Sequence, residues 1–250
     1  MIFLRAIITA FSTYSIIPMP GLDFKEENLR YSLCAFPLIG SLIGLISVLF
    51  LYLTDYFAFD MPLLKAAILT FIPIWISGGI HLDGFMDTVD ALSSHLPREE
   101  KERILKDPNV GAFAVIHLSL LLILTLSIWH GMKAPDCILI IAAYTQSRVL
   151  SALALVFFPV SKKSSLLKTY SQASDLLPVR RILIMLEIII AAIMLLRGIR
   201  GIAALLLSLL SFIYYRHRAI KEFGGINGDM AGCFLTLTEF LMLAAFSLIP

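Results

Sequence analysis

Apolar runs recur from one end of the chain to the other, with short polar connections between them. A helix crosses a bilayer with about 20 predominantly apolar residues. Seven stretches meet or approach that length: 32–54, 62–80, 112–131, 136–159, 181–196, 199–215 and 230–249. The fifth and sixth are short and separated only by the connection that carries Arg197 and Arg200, which predicts a tight helical hairpin. Residues 1–14 add a further apolar stretch with one charge, Arg5, and Pro18 and Pro20 close it. No small-residue cleavage site follows, so this segment reads as a retained helix in the interface or entering the membrane shallowly. The expected fold is all-α: a polytopic membrane helical bundle of about seven transmembrane helices, eight if the N-terminal segment crosses. No polar stretch is long enough for a separate soluble domain, so residues 1–250 read as a single integral membrane domain.

Composition agrees: 59% of residues are hydrophobic and 15% charged, against about 25% charged in soluble domains. A net charge of +2 gives no ground for nucleic-acid binding. Cys34, Cys137 and Cys233 are far apart, lack CxxC spacing and sit in or near apolar runs, which predicts buried structural thiols. The placement of Lys and Arg says more. With seven spans, Arg5, Lys25, Arg30, Arg98, Lys101, Arg103, Lys106, Lys162, Lys163, Lys168, Arg180, Arg181, Arg216, Arg218 and Lys221 fall on one side, and only Lys65, Lys133, Arg197 and Arg200 on the other. Cytoplasmic loops carry the excess of basic residues, so the first set is expected in the cytoplasm, in a multi-pass protein of the cell membrane.

The most informative stretch is Gly78-Gly79-Ile80-His81-Leu82-Asp83-Gly84-Phe85-Met86-Asp87-Thr88-Val89-Asp90. Its three aspartates stand at i, i+4 and i+7 on one helix face, where like charges destabilise the helix. A hard divalent cation held by oxygen ligands is the natural neutraliser; a merely solvated acidic face is the bland alternative. His81 lies on another face, and a magnesium site seldom recruits imidazole, so a substrate contact and a structural histidine stay equally open.

Two more loops fall on the same side. Arg103, Lys106 and Asp107, followed by Gly111, could hold phosphate and metal, although such charge runs are usually just solvated. Gly224-Gly225-Ile226-Asn227-Gly228-Asp229 precedes the last span, and its glycines could wrap an anion at a helix N-terminus. There Asp229 reads as a cap or a metal ligand, the cap being the simpler reading. Within spans, where charge is costly and usually functional, Arg148 and Glu239 could pair with one another or face the site from below. Glu187 reads as a snorkelling residue near a cytoplasmic end, and His117 and His130 have no spacing partner. A carboxylate cluster, a basic loop and a glycine-rich anion loop are the parts that metal-bridged diphosphate chemistry uses.

The segment from Gly79 to Asp90 closely resembles the signature of the cobalamin synthase family, the adenosylcobinamide-GDP ribazoletransferases. Further matches follow in the family's order: Phe11-Ser12, Pro18-Met19-Pro20, Phe36-Pro37-Leu38-Ile39-Gly40, Lys106-Asp107 with Gly111, Ser147-Arg148, Gly224-Gly225, Gly228-Asp229, Gly232 and Glu239. The chain departs from the pattern at Asn109, Ala114, Asn227 and Thr236, where a basic residue, glycine, threonine and glutamate are usual.

The resemblance implies Mg²⁺-dependent joining of adenosylcobinamide-GDP to α-ribazole or its 5′-phosphate, giving adenosylcobalamin or its phosphate plus GMP. Asp83, Asp87, Asp90, Asp107 and Asp229 would hold the metal. One of Asp83, Asp87, Asp90 or His81 would act as general base, and Arg103, Lys106, Gly111, Arg148, Gly224, Gly225, Asn227 and Gly228 would contact substrate phosphates. A homo-oligomer is compatible with the sequence but not required by it. The competing readings are a CDP-alcohol phosphotransferase or aspartate-rich prenyltransferase, whose second aspartate motif is missing here, and a cation transporter, which places its charges near the bilayer midplane.

Overall fold

The computed structural model describes residues 2–21, 29, 31–161 and 176–249. Lys25, Arg30, Lys162, Lys163 and Lys168, counted above among the basic loop residues, lie outside them. The described residues form ten helices: α1 (Ile2–Tyr14), α2 (Ser32–Tyr56), α3 (Pro62–Ile76), α4 (Ile80–Ser93), α5 (Arg98–Ile104), α6 (Ala112–Gly131), α7 (Cys137–Phe157), α8 (Leu176–Leu196), α9 (Gly198–Phe223) and α10 (Gly228–Leu248).

Five of these, α2, α6, α7, α9 and α10, are long and apolar enough to cross a membrane, and α3 with α4 makes a sixth crossing if that pair is counted as one. Two of the seven expected crossings fall outside that pattern of length and composition. The stretch predicted as one straight span from 62 to 80 bends by 92° where α3 meets α4. The predicted fifth span is 21-residue α8, which carries Arg180, Arg181 and Glu187. Glu187 lies mid-helix and accepts a hydrogen bond from Gln146 Nε2 at 2.8 Å, so it is held inside the bundle and does not snorkel at an end. The hairpin between α8 and α9 is present but longer than predicted, turning at Arg197 and Gly198. With 13 residues, α1 is too short to cross and packs on α2.

At the centre, α7 packs against α2, α8, α9 and α10. Small residues set the spacing, as they do between membrane helices. A Cβ on Gly40 would lie 2.0 Å from the carbonyl oxygen of Tyr144, and one on Gly44 would lie 2.6 Å from Ile141 Cα, so α2 meets α7 backbone to backbone. Outward positions such as Leu45, Leu49, Phe71, Trp75, Ile123, Ile188 and Ile213 stay exposed, which is tolerable in lipid and costly in water. Cys34 and Cys233 are buried as predicted; Cys137 is exposed, because it opens α7 at the bundle's end. Asp136 caps that helix, accepting from the amides of Ile138 and Leu139, and also pairs with Arg197 at 2.6 Å.

Candidate active site

The break between α3 and α4 delivers the carboxylates. Gly78 and Gly79 both have positive φ, at 64° and 78°, a conformation that side-chain-bearing residues rarely adopt. Their amides close α3 on the carbonyls of Trp75 and Ile74, and α4 then starts in a new direction. Of its 14 residues three are aspartates, so α4 is too short and too acidic to cross the membrane by itself.

On α4 the inward face is buried at His81, Gly84, Phe85 and Thr88, and the aspartates lie on the outer side: Asp83 is exposed, Asp87 and Asp90 half-buried. The inward face crosses the first turns of α10 at very short range. A Cβ on Gly84 would lie 2.7 Å from the Asp229 carbonyl oxygen, and one on Gly232 would lie 2.9 Å from the His81 carbonyl oxygen. Two glycines, one per helix, bring the aspartates of α4 alongside Asp229.

Electrostatics follow from that packing. Burial, and then the charges of Asp83, Asp229 and Asp90, push the Asp87 carboxyl up to about 6. None of these four carboxylates pairs with a cation among the described residues. Acidic oxygens that repel one another without a counter-charge are the donor set a hard divalent cation uses. As the side chains stand, no three His, Cys, Asp or Glu groups among the described residues are grouped tightly enough to hold an ion. The donors fit in kind, and closing on a cation needs their side chains to rotate.

Asp107 is not brought to this cluster. It is exposed, and its Oδ1 accepts from both the backbone and side-chain amides of Asn109, at 2.9 and 2.8 Å, which hold it below the usual carboxylate range. Asn109, one of the departures from the family pattern, thus shapes its own loop. The loop's glycine does reach the site: a Cβ on Gly111 would lie 2.0 Å from an Asp90 carboxylate oxygen. Arg103 pairs with Glu100 at 2.8 Å, and Lys106 is exposed.

The glycine-rich loop is already engaged. Gly224 ends α9 with φ 66°, and Gly225 lies against residues 159–161. Ile226 bridges the same strand-like segment: its amide donates to the Pro159 carbonyl at 2.8 Å and its carbonyl accepts from the Ser161 amide at 2.9 Å. The cap of α10 is Asn227, whose Oδ1 accepts from the Met230 amide at 2.8 Å, so Asp229 is not the cap and stands free in the first turn beside Gly84. Gly228 is exposed. Lys101 of α5 donates to Glu222 of α9 at 2.5 Å, joining the helices on either side of this loop system.

Arg148 sits deeper, 1% exposed, where it pairs with Glu239 of α10 and donates to the Tyr144 carbonyl and Ser147 Oγ, both at 3.0 Å. The partner expected from sequence is therefore found, and the pair lies within the bundle below His81. The His81 ring is buried between Tyr14, nearly parallel to it with centroids 6.3 Å apart, and Phe36, edge-on at 6.0 Å. Its Nε2 has no hydrogen-bond partner among the described residues, and its carbonyl accepts from Thr236 Oγ1 at 3.3 Å. A cavity of about 200 Å³ opens here, lined by Tyr14, Phe36, His81, Asp83, Ser151 and Asp229 among others. Sequence reasoning gave no role to Tyr14 or Ser151, since a single aromatic ending one helix and a serine within another carry no spacing signal. His117 is exposed and bonds the Phe113 carbonyl, a local role as expected.

A bundle of long apolar helices with an acidic cluster at a break near one end defines a multi-pass membrane protein built for charged-group chemistry at a membrane surface. The match to the family model for cobalamin-5-phosphate synthase covers residues 6–247, and the chain belongs to that family. It is 38% identical to the adenosylcobinamide-GDP ribazoletransferase of Lachnoclostridium phytofermentans over 96% of this chain and 92% of that protein. It is 35% identical to the protein of the same name from Clostridium perfringens, over 96% of both chains. The corresponding protein of Brevibacillus brevis is 32% identical, again over 96% of both. No solved structure matches the chain. The protein is a membrane-embedded transferase of cobalamin biosynthesis.

Proposed function

We propose that this chain joins adenosylcobinamide-GDP to α-ribazole, or to α-ribazole 5′-phosphate, releasing GMP, in a Mg²⁺-dependent reaction on the cytoplasmic side of the cell membrane. The observation that carries the reading is the approach of Asp83 and Asp87 to Asp229 across the Gly84–Gly232 contact, with Asp90 beside Asp87, in a chain whose relatives bear that enzyme's name. The excess of Lys and Arg on the side of these loops supports the orientation.

Asp83, Asp87 and Asp229 would hold Mg²⁺, with Asp90 beside them. Bound there, it supplies positive charge to the diphosphate oxygens and to the departing phosphate. The residues of the chain do the rest. The acceptor's ribose hydroxyl gives its proton to a carboxylate of the cluster while its oxygen forms a bond to the phosphorus nearest the corrinoid. The bond from that phosphorus to the bridging oxygen breaks, and the electron pair leaves with GMP. Lys106, exposed before Gly111, and Arg103, in α5 where it pairs with Glu100, would meet phosphate oxygens from solvent. The backbone-to-backbone contact of α4 and α10 fixes the carboxylates with respect to one another, which is the positioning that such displacements depend on.

GMP release by purified full-length protein, with and without α-ribazole and with Mg²⁺ or EDTA, tests the reading. Release that needs both α-ribazole and Mg²⁺ supports it. Release unaffected by EDTA removes the metal, and no release from folded protein removes the reaction.

A further inference from the structure

The cavity beside the acidic cluster is two-faced. Its mouth carries Asp83, exposed, and Asp229, half-buried. Its inner wall is apolar and fully sequestered: Phe36 is 5% exposed, and Leu33, Leu155 and Ala152 line it at 3%, 6% and 2%. Tyr14 and His81, inclined by only 20° to one another, line it beside Phe36, whose ring centroid lies 4.6 Å from that of Tyr14. Pockets that enclose a drug-sized ligand run to roughly 300–1,000 Å³. At about 200 Å³ this one takes a single flat ring system and excludes a corrin macrocycle.

We infer that this cavity holds the aromatic base of the acceptor nucleoside, with Tyr14 as its stacking surface, so that the ribose hydroxyl emerges at Asp83 and Asp229. The inference rests on the reaction proposed above and identifies which half of it this cavity serves. α-Ribazole is a benzimidazole nucleoside, and one edge of its base is hydrocarbon. That edge matches the Leu33–Leu155 wall and needs no hydrogen-bond partner there. The competing occupant is the guanine of the other substrate. Guanine carries two donors and a carbonyl acceptor along one edge, and burying that edge against Leu33, Ala152 and Leu155 would leave polar atoms unpaired, at a cost that a hydrocarbon edge avoids. Away from the mouth the polar side-chain groups among the described lining residues are the hydroxyls of Tyr14 and Ser151 and the His81 ring. Geometry also orders the two ends: the acid lies at the mouth and the aromatic wall inside, so a nucleoside enters base first and presents its sugar to the reacting phosphate.

The test varies each substrate separately against the full-length enzyme. Tyr14→Ala removes the stacking surface, and Ala152→Leu fills the cavity floor. Both are expected to raise KM for α-ribazole by about tenfold, the range that loss of one base–aromatic stack produces, and to leave KM for adenosylcobinamide-GDP within about twofold. Tyr14→Phe should restore the wild-type value. A rise in KM for adenosylcobinamide-GDP instead would assign the cavity to guanine and overturn the inference, as would no change in either constant. Equilibrium dialysis of α-ribazole against wild type, Tyr14→Phe and Tyr14→Leu decides the matter without turnover. Retention by the first two and its loss in the third supports the subsite, even if GMP release fails and the reaction itself must be reassigned. Equal retention by all three, or none by wild type, rules it out.

Discussion

Gly84 lies directly against the backbone of Asp229, so close that a Cβ there would stand 2.7 Å from the Asp229 carbonyl oxygen and 2.9 Å from its Cα. Both obstacles are backbone atoms and cannot swing aside. Gly84→Val must therefore push α4 away from α10. The expected loss of stability is about 1–3 kcal/mol, as for other overpacked contacts. GMP release should fall far more than stability does, since the carboxylates of α4 move away from Asp229. Thermal melting in detergent beside the activity assay checks this; full activity in the variant would show that the crossing does not set the site.

In the proposed reaction the carboxylates carry the chemistry, their mutual repulsion opposes the fold, and the two effects can be separated. Asp83→Ala, Asp87→Ala and Asp229→Ala should each abolish turnover in folded protein. In EDTA, Asp87→Asn should melt no lower than wild type, because it removes a charge that Asp83, Asp229 and Asp90 repel. Ordinary structural carboxylates behave the other way, so a large destabilisation in EDTA would contradict the account of the cluster.

Arg148 and Glu239 form the charged pair inside the bundle. Removing one partner leaves the other charge uncompensated, at a cost of roughly 3–5 kcal/mol. Arg148→Ala should accordingly fail to accumulate in the membrane or should melt early. The double variant Arg148→Met, Glu239→Leu should recover most of that loss. If it is stable and active, Arg148 serves the bundle; if it is stable and inactive, Arg148 serves the substrate as well.

Asn227→Ala removes the side-chain cap of α10, and the expected loss is about 1 kcal/mol. Asn227→Thr keeps an oxygen at the same place and should retain both stability and activity, in line with the threonine usual at this position of the family pattern. Loss of activity in the stable Asn227→Thr protein would point to a contact with phosphate that the amide makes and the hydroxyl does not.

Much of this was legible in the chain. The three aspartates on one helix face follow from their spacing, and the start of α7 beside Asp136 follows from the apolar run that opens there. The 92° corner was not legible, because residues 62–80 are predominantly apolar and hydropathy carries no direction. Gly78 and Gly79 were visible as a break, but a break's angle depends on what α4 packs against. That partner is α10, distant in sequence, and nothing periodic says that Gly84 meets Gly232. The local structure of the stretch 224–229 was not legible, for a related reason. Glycines that can wrap an anion can equally end one helix and bridge to a neighbouring segment, and here Gly224 and Gly225 do the latter while Asn227 takes the cap.

The last helix supplies Asp229 and Gly232, and the fourth supplies the carboxylates that meet them. During synthesis, the chain therefore carries its aspartates for most of its length without the partner that completes them. The cluster is complete only when the final segment has docked against α4. On the reaction proposed above, a chain interrupted anywhere before residue 228 lacks both Asp229 and Gly232 and is expected to release no GMP.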